Sequence, residues 1–388
     1  MKTCATILKN AHILAMDEQS NQFEPGAIAI KDGKIAAVGY QHEILAEWQA
    51  EETIDCGGKV LMPGLINTHT HIPMTLLRGL SNDLRLDVWL MGYMMPVERE
   101  FVSPEFVRLG TQMGCAELIR SGVTTFNDMY YFEDEVAQAT AEIGMRAVLG
   151  QTVLKFPSPD AASFEDSLAL SEALIEKWKD HNLIIPAIAP HAVYTCPAEV
   201  LEAVVKIAKK HDAIVHFHVS ETIEEVENLR KETGMPVVPY IKKLGMLDTK
   251  LIAAHCVHVD DGEIRTMLRA GTGIAHNPSS NLKLASGFAP IARMMEMGAK
   301  VGIGTDGTAS NNDLDMFEEM RLASLIAKPV AGDPTVLPAK QVLEMVTRIG
   351  AETLHMAEIT GSLELGKRAD LILIDLYPMH NQPHFRRD

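Results

Sequence analysis

Cysteine is scarce in this 388-residue chain: Cys4, Cys56, Cys115, Cys196 and Cys256 are odd in number, widely spaced and never form a CxxC pair. That pattern excludes a disulfide framework or a cysteine zinc knuckle and fits a reducing compartment. Basic charge is also short, with 35 Lys and Arg against 52 Asp and Glu, a net charge of −17. A surface of that sign repels phosphate backbones and anionic lipid, so neither nucleic acid nor a membrane is expected as a partner. There is no apolar run of about 18 residues that could span a bilayer. The opening MKTCATILKNAHILAMDEQ is interrupted by Lys9, Asn10, His12 and Asp17, and it has no signal-peptide core. The expectation is a cytoplasmic protein. Short-period repeats and low-complexity stretches are missing as well. What remains is an ordinary globular composition, 47% hydrophobic and 22% charged.

Two kinds of pattern fill the chain. Residues 1–60 read as short strands and turns, with Asp32-Gly33 between two apolar runs as a hairpin signal, and GSLELGKRADLILID (361–375) is similar. Between them lie eight apolar runs: 61–71, 121–129, 145–153, 183–191, 213–221, 251–259, 271–279 and 300–307. Helical segments separate them, such as PAEVLEAVVKIAKKHD (197–212), with Val200, Leu201, Val204, Val205 and Ile207 at helical spacing. Strands alternating with helices give a parallel sheet, and eight repeats favour closure into a (β/α)8 TIM barrel. The expected division is residues 1–60 as the first part of a small β-sandwich domain, 61–350 as the barrel and 351–388 as the second part.

Polar residues fall at the ends of those runs, where a barrel gathers side chains at one mouth. His69 and His71 close the first run, His191 the fourth, and His216, His218 and Glu221 the fifth. His255 lies in the sixth, His276 in the seventh and Asp306 in the eighth. In a strand, i and i+2 share a face, so His69 and His71 can share one ion. His216 and His218 also share a face, and spacing alone does not separate them. Glu221, three residues past His218, can reach water at a metal, which favours His218 as ligand and His216 as a packing or supporting residue. Asp306 could cap the helix beginning near Leu314, but Gly304 and Gly307 beside it argue for a tight turn that exposes a ligand. Three histidines and one aspartate suit a divalent transition ion with an open position for water. A bridged pair of ions would need another ligand, often a lysine after the fourth strand, where this chain has His191. One ion is expected.

The set PGLINTHTH, HFHVSET, AAHCVHVD, AHNPSSNLKLASG and GIGTDG resembles the amidohydrolase superfamily, in its mononuclear aminohydrolase and chlorohydrolase branch. Within that branch it is most similar to the S-adenosylhomocysteine and 5′-methylthioadenosine deaminases. The resemblance implies metal binding, with zinc as the expected ion, by His69, His71, His218 and Asp306. It implies a proton-shuttling role for Glu221 and a water-orienting role for His255, assisted by Asp306. Trp89, Glu98 and His191, together with Glu221 and Asp306, would contact substrate, Glu98 holding the ribose hydroxyls. The implied reaction is hydrolytic deamination of an adenine nucleoside (5′-methylthioadenosine, S-adenosylhomocysteine or adenosine) to the inosine analogue and ammonia, by metal-activated water.

Two departures qualify the match. The family grips a homocysteine carboxylate with arginines after the third strand, and GQTVLKFPSPD offers only Lys155; Arg146 begins that strand, at the wrong end of a barrel. Methylthioadenosine or adenosine therefore gains over S-adenosylhomocysteine. The ending HFRRD is expected to leave the small domain incomplete. Rival readings keep the fold and change the heterocycle to guanine or a triazine, or lose the metal and leave a non-catalytic scaffold. Away from the resemblance, Glu98 reads as part of a solvated helical face beside Arg99 and Glu100. Partners are expected to be limited to the nucleoside, with a homo-oligomer compatible.

Overall fold

In the computed structural model, residues 1–383 are described, and HFRRD lies outside them. The chain opens with β1 (Lys2–Leu14), β2 (Gln22–Lys31) and β3 (Lys34–Tyr40), paired antiparallel. Asp32 and Gly33 join β2 to β3 at φ of 53° and 69°. Positive φ at both positions is what a two-residue type I′ hairpin requires. β4 (Trp48–Asp55) and β5 (Val60–Pro63) then run parallel to β1, β4 along its first half and β5 beside His12 and Ile13. Alternation along β1 sends Ile7 and Leu8 into different clusters. Ile7 packs with Ala27, Ala29 and Ile44, the last from the helix Gln41–Glu47. Leu8 packs with Ile28, Ile35, Leu61 and Leu363.

The next eight strands are β6 (Leu65–Thr70), β7 (Val123–Tyr130), β8 (Arg146–Val153), β9 (Ile184–Pro190), β10 (Ile214–Val219), β11 (Lys250–His255), β12 (Gly273–His276) and β13 (Lys300–Ile303). They pair in chain order, all parallel, with helices between them: a (β/α)8 TIM barrel. β14 (Leu371–Ile374) returns to pair antiparallel with β5, so the two ends of the chain build one separate sheet. The first apolar run is thereby divided. Val60–Pro63 belongs to the terminal sheet and Leu65–Thr70 to the barrel, with Gly64 as the joint.

Low in the barrel, Ile66, Val148, Ala187, Ile214, Ile252 and Ala275 pack against Ala351, Leu354 and Met356. This plug leaves the opposite end for polar groups. The seam between β13 and β6 is closed by contacts made just beyond β13. Asp306 N–H donates to His69 O at 2.9 Å, Thr305 N–H to Asn67 Oδ1 at 3.1 Å, and Asn67 Nδ2 to Thr305 Oγ1 at 2.8 Å. Gly304 permits the approach, since a Cβ there would sit 2.7 Å from His69 N. Among the described residues no helix is long and apolar enough to cross a membrane.

Candidate metal centre

Each histidine of the cluster is fixed through Nδ1. His71 Nδ1 lies 2.6 Å from Met129 O and His218 Nδ1 2.8 Å from His191 O. A carbonyl can only accept, so these nitrogens carry the proton and each Nε2 is left with its lone pair free. His255 Nδ1 is 2.9 Å from Asn281 Oδ1, and His69 Nδ1 is 2.8 Å from His216 Nε2. His216, buried on β10, thus supports His69. The ligand atoms of His69, His71 and Asp306 lie within 4.8 Å of one another, as do those of His69, His218 and His255. His69 Nε2 is buried without a hydrogen-bond partner, and its nearest oxygen, Asp306 Oδ1, is 3.4 Å away; His71 Nε2 is 3.3 Å from the same oxygen. These separations exceed the about 2.7–2.9 Å of a charge-assisted hydrogen bond. Convergent lone pairs, a carboxylate and an orphaned buried nitrogen are the donor set a divalent cation requires.

Burial pushes His69 down to about 4, although Asp306 opposes the shift, and burial with the nearby His191 takes His218 well below the ordinary imidazole value. Both therefore stand neutral, the form in which imidazole binds a metal. Burial alone would raise Asp306, but the neighbouring imidazoles of His69, His71 and His255 hold it well below the carboxylate range. Ser280 Oγ donates to Asp306 Oδ2 at 2.6 Å and Gly307 N–H to Oδ1 at 2.7 Å. Asp306 does not cap the following helix, whose N-cap is Asp315. Glu221 moves the other way, raised by burial, and its Oε2 is 3.8 Å from His255 Nε2. His255 Nε2 also lies 3.9 Å from Asp306 Oδ2. Burial works against the His255 charge, but Glu221 and Asp306 outweigh it and raise the group.

His71, His218, Glu221, His255 and Asp306 share one cavity with Trp89, Glu98 and His191, with His69 buried behind it. Trp89 lies in the π-helical turn Val88–Met94, and Glu98 in the following helix Met95–Phe101. Glu98 is 3% exposed, the buried residue of that helix, so it does not belong to a solvated face. It accepts from Tyr130 Oη at 2.7 Å, and burial pushes it up to about 7. His191 Nδ1 is 3.0 Å from Thr195 Oγ1, and burial lowers the ring to about 3. Lys155 is exposed and lies outside the cavity lining. His276 is buried and lines a separate cavity with Phe288 and Ala323 rather than the one that Glu221 and Asp306 line.

Sequence reasoning assigned no role to Asn67, Tyr130, Ser280, Asn281 or Ser286, all of which touch a site residue or close the seam beside it. Ser280, Asn281 and Ser286 fall within AHNPSSNLKLASG, a motif already singled out as a whole.

The amidohydrolase family model matches residues 60–388. A 5-methylthioadenosine/S-adenosylhomocysteine deaminase of Thermodesulfovibrio yellowstonii is 45% identical over 379 residues, 97% of this chain and 86% of that protein. One of Syntrophobacter fumaroxidans is 44% identical over 377 residues, with the same two coverages. A crystal structure of an adenosine deaminase from Xanthomonas campestris with bound zinc superposes with a TM-score of 0.97 at 38% identity, covering 100% of this chain and 88% of that one.

Proposed function

Since the chain belongs to the amidohydrolase family, and within it to the 5-methylthioadenosine/S-adenosylhomocysteine deaminases, we propose that it deaminates an adenine nucleoside by hydrolysis, releasing ammonia and the inosine analogue. The convergence of His69, His71, His218, His255 and Asp306, with Glu221 beside His255, at a cavity that five of these six line carries this reading. His69, His71, His218 and Asp306 would hold one divalent ion, zinc by analogy with the Xanthomonas structure. When bound, such an ion supplies a Lewis acid that lowers the pKa of water towards about 7.

The chain's own groups do the rest. Glu221, raised by burial, takes the proton of the attacking water and delivers it to the ring nitrogen beside the amino-bearing carbon. His255, between Glu221 and Asp306, orients the water. Water's oxygen becomes the ring carbonyl; of its two protons, one stays on the ring nitrogen and the other passes from the newly attached hydroxyl to the amino group, which leaves as ammonia. Glu98 accepts from the ribose hydroxyls, Trp89 packs on the nucleoside, and His191 contacts the base edge. Among the described residues no lysine or arginine lines this cavity to meet a homocysteine carboxylate, which favours methylthioadenosine or adenosine. Five buried thiols fit a cytoplasmic location. The strands of residues 2–63 with β14 would serve as the small domain beside the barrel, so its first part extends past the expected boundary at 60 and the segment around Ala351 to Met356 belongs with the barrel.

The test is ammonia release from methylthioadenosine before and after chelator treatment, with zinc then restored. The expected result is loss and recovery of turnover. Undiminished turnover by metal-free protein would overturn the metal assignment.

A further inference from the structure

The segment 277–286 follows β12 and takes no part in the roles above. It contains the short helix Pro278–Lys283. Ser280, Asn281 and Ser286 are 0%, 2% and 6% exposed, and none of them lines the substrate cavity. Yet each ends on a different proton-handling or ligand group. Ser280 Oγ donates to Asp306 Oδ2 at 2.6 Å, Asn281 Oδ1 accepts from His255 Nδ1 at 2.9 Å, and Ser286 Oγ donates to Glu221 Oε1 at 3.4 Å. These three targets come from the ends of three other strands, β13, β11 and β10.

The segment is itself held from outside. Ser279 N–H donates to Glu319 Oε2 at 3.1 Å, and Glu319 Oε1 accepts from Asn311 Nδ2 at 2.8 Å. Lys283 Nζ donates to Ala309 O at 3.0 Å, and within the segment Ser286 N–H donates to Asn281 O at 2.9 Å. Asp306 and His255 have φ of 61° and 71°, a backbone region that costs non-glycine residues energy and persists only when surrounding contacts impose it. A rigid element bonded to all three side chains is such a constraint.

We propose that Ser280, Asn281 and Ser286 are positioning residues, which together hold Asp306, His255 and Glu221 in the mutual geometry that proton transfer needs. Buried polar side chains need partners in any core, but a role confined to packing gives no reason for three of them in one ten-residue segment to meet three different reacting groups. Acting through others, they govern kcat and leave nucleoside binding alone. The proposal rests on the deaminase reading.

Kinetics on methylthioadenosine with full-length, zinc-loaded variants provide the test. Ser280→Ala and Asn281→Leu should each lower kcat about ten- to hundredfold, the range of one charge-assisted hydrogen bond, and Ser286→Ala, whose contact is longer at 3.4 Å, about three- to tenfold. KM should change by less than about threefold, with metal content and melting temperature close to wild type. Ser280→Thr, Asn281→Asp and Ser286→Thr keep the needed donor or acceptor and should restore most of kcat. In a Glu221→Asp background, where the carboxylate is already withdrawn from Ser286, adding Ser286→Ala should cost nothing further. An equal loss in both backgrounds, or losses in KM with kcat preserved, would assign these residues to packing. Should a leucine at 281 unfold the protein, Ser280→Ala removes one oxygen only, from a 2.6 Å bond, and decides the matter. Wild-type protein inactive on every adenine nucleoside would instead defeat the deaminase reading; active wild type with unchanged variants defeats the clamp.

Discussion

Replacing Gly304 with alanine probes the link between barrel closure and the metal centre. The added Cβ would fall 2.5 Å from Asn277 Oδ1, 2.7 Å from His69 N and 2.9 Å from His69 Cβ. Non-bonded heavy atoms prefer about 3.5–4.0 Å, so the seam must open by roughly 0.6–1 Å. Asn277 Oδ1 is a side-chain tip that can turn aside, but the other two atoms are the backbone N and the Cβ of His69, which cannot move without the strand. The Asp306 N–H to His69 O bond, now 2.9 Å, would stretch past any useful length, and Asp306 would shift relative to His69. Overpacking of this kind costs about 1–3 kcal/mol in stability. Displacing a ligand or its support typically weakens metal binding about 10–100-fold. Thermal melts and zinc titration against a competing chelator read the two effects separately. Gly304→Ala protein with wild-type zinc affinity and turnover would refute the reasoning, whatever its melting temperature.

Three further outcomes are expected. Glu221→Gln should retain zinc while kcat drops about 10²–10⁴-fold, as befits lost acid–base assistance; near-normal turnover would move the proton to another group. Glu98→Ala should lower kcat/KM for methylthioadenosine about a hundredfold, through lost hydrogen bonds to a charged group, and leave free adenine unaffected. Because burial places Glu98 at about 7, KM for nucleosides should rise as pH falls through that value in wild type and stay flat in Glu98→Gln. Burial also pushes Glu319 up to about 8 from an ordinary 4.5, so the stability linked to it is full below 4.5 and is lost as pH rises through about 8. The fall in melting temperature between about pH 4.5 and 8 should therefore be shallower in Glu319→Gln, and identical slopes would contradict that.

Local chemistry made the frame legible. Asp32-Gly33 announced its hairpin because only certain residues accept positive φ twice in a row. The period-2 spacing of His69 and His71, and the return of polar residues at each strand end, announced the barrel mouth. What stayed hidden depends on partners far away in the chain. The run 61–71 looks continuous because both halves are apolar, and only pairing with β1 and β14 shows that Val60–Pro63 belongs to the other sheet. Glu98 has the composition of a surface residue, and its burial follows from Tyr130, 32 positions later. Asn67 meets Thr305 across 238 positions, a contact no periodicity encodes. Ser280, Asn281 and Ser286 carry no spacing rule of their own, since polar side chains that serve other side chains leave no apolar rhythm.

The central claim is that the cluster at the barrel mouth hydrolyses the amino group of an adenine nucleoside. Mass spectrometry of methylthioadenosine incubated with zinc-loaded protein in heavy-oxygen water tests it most directly. The account predicts the inosine analogue with solvent oxygen at the former amino position, ammonia in equal amount, and neither product from His69→Ala protein. Unchanged methylthioadenosine and adenosine alongside efficient turnover of a free base would contradict it.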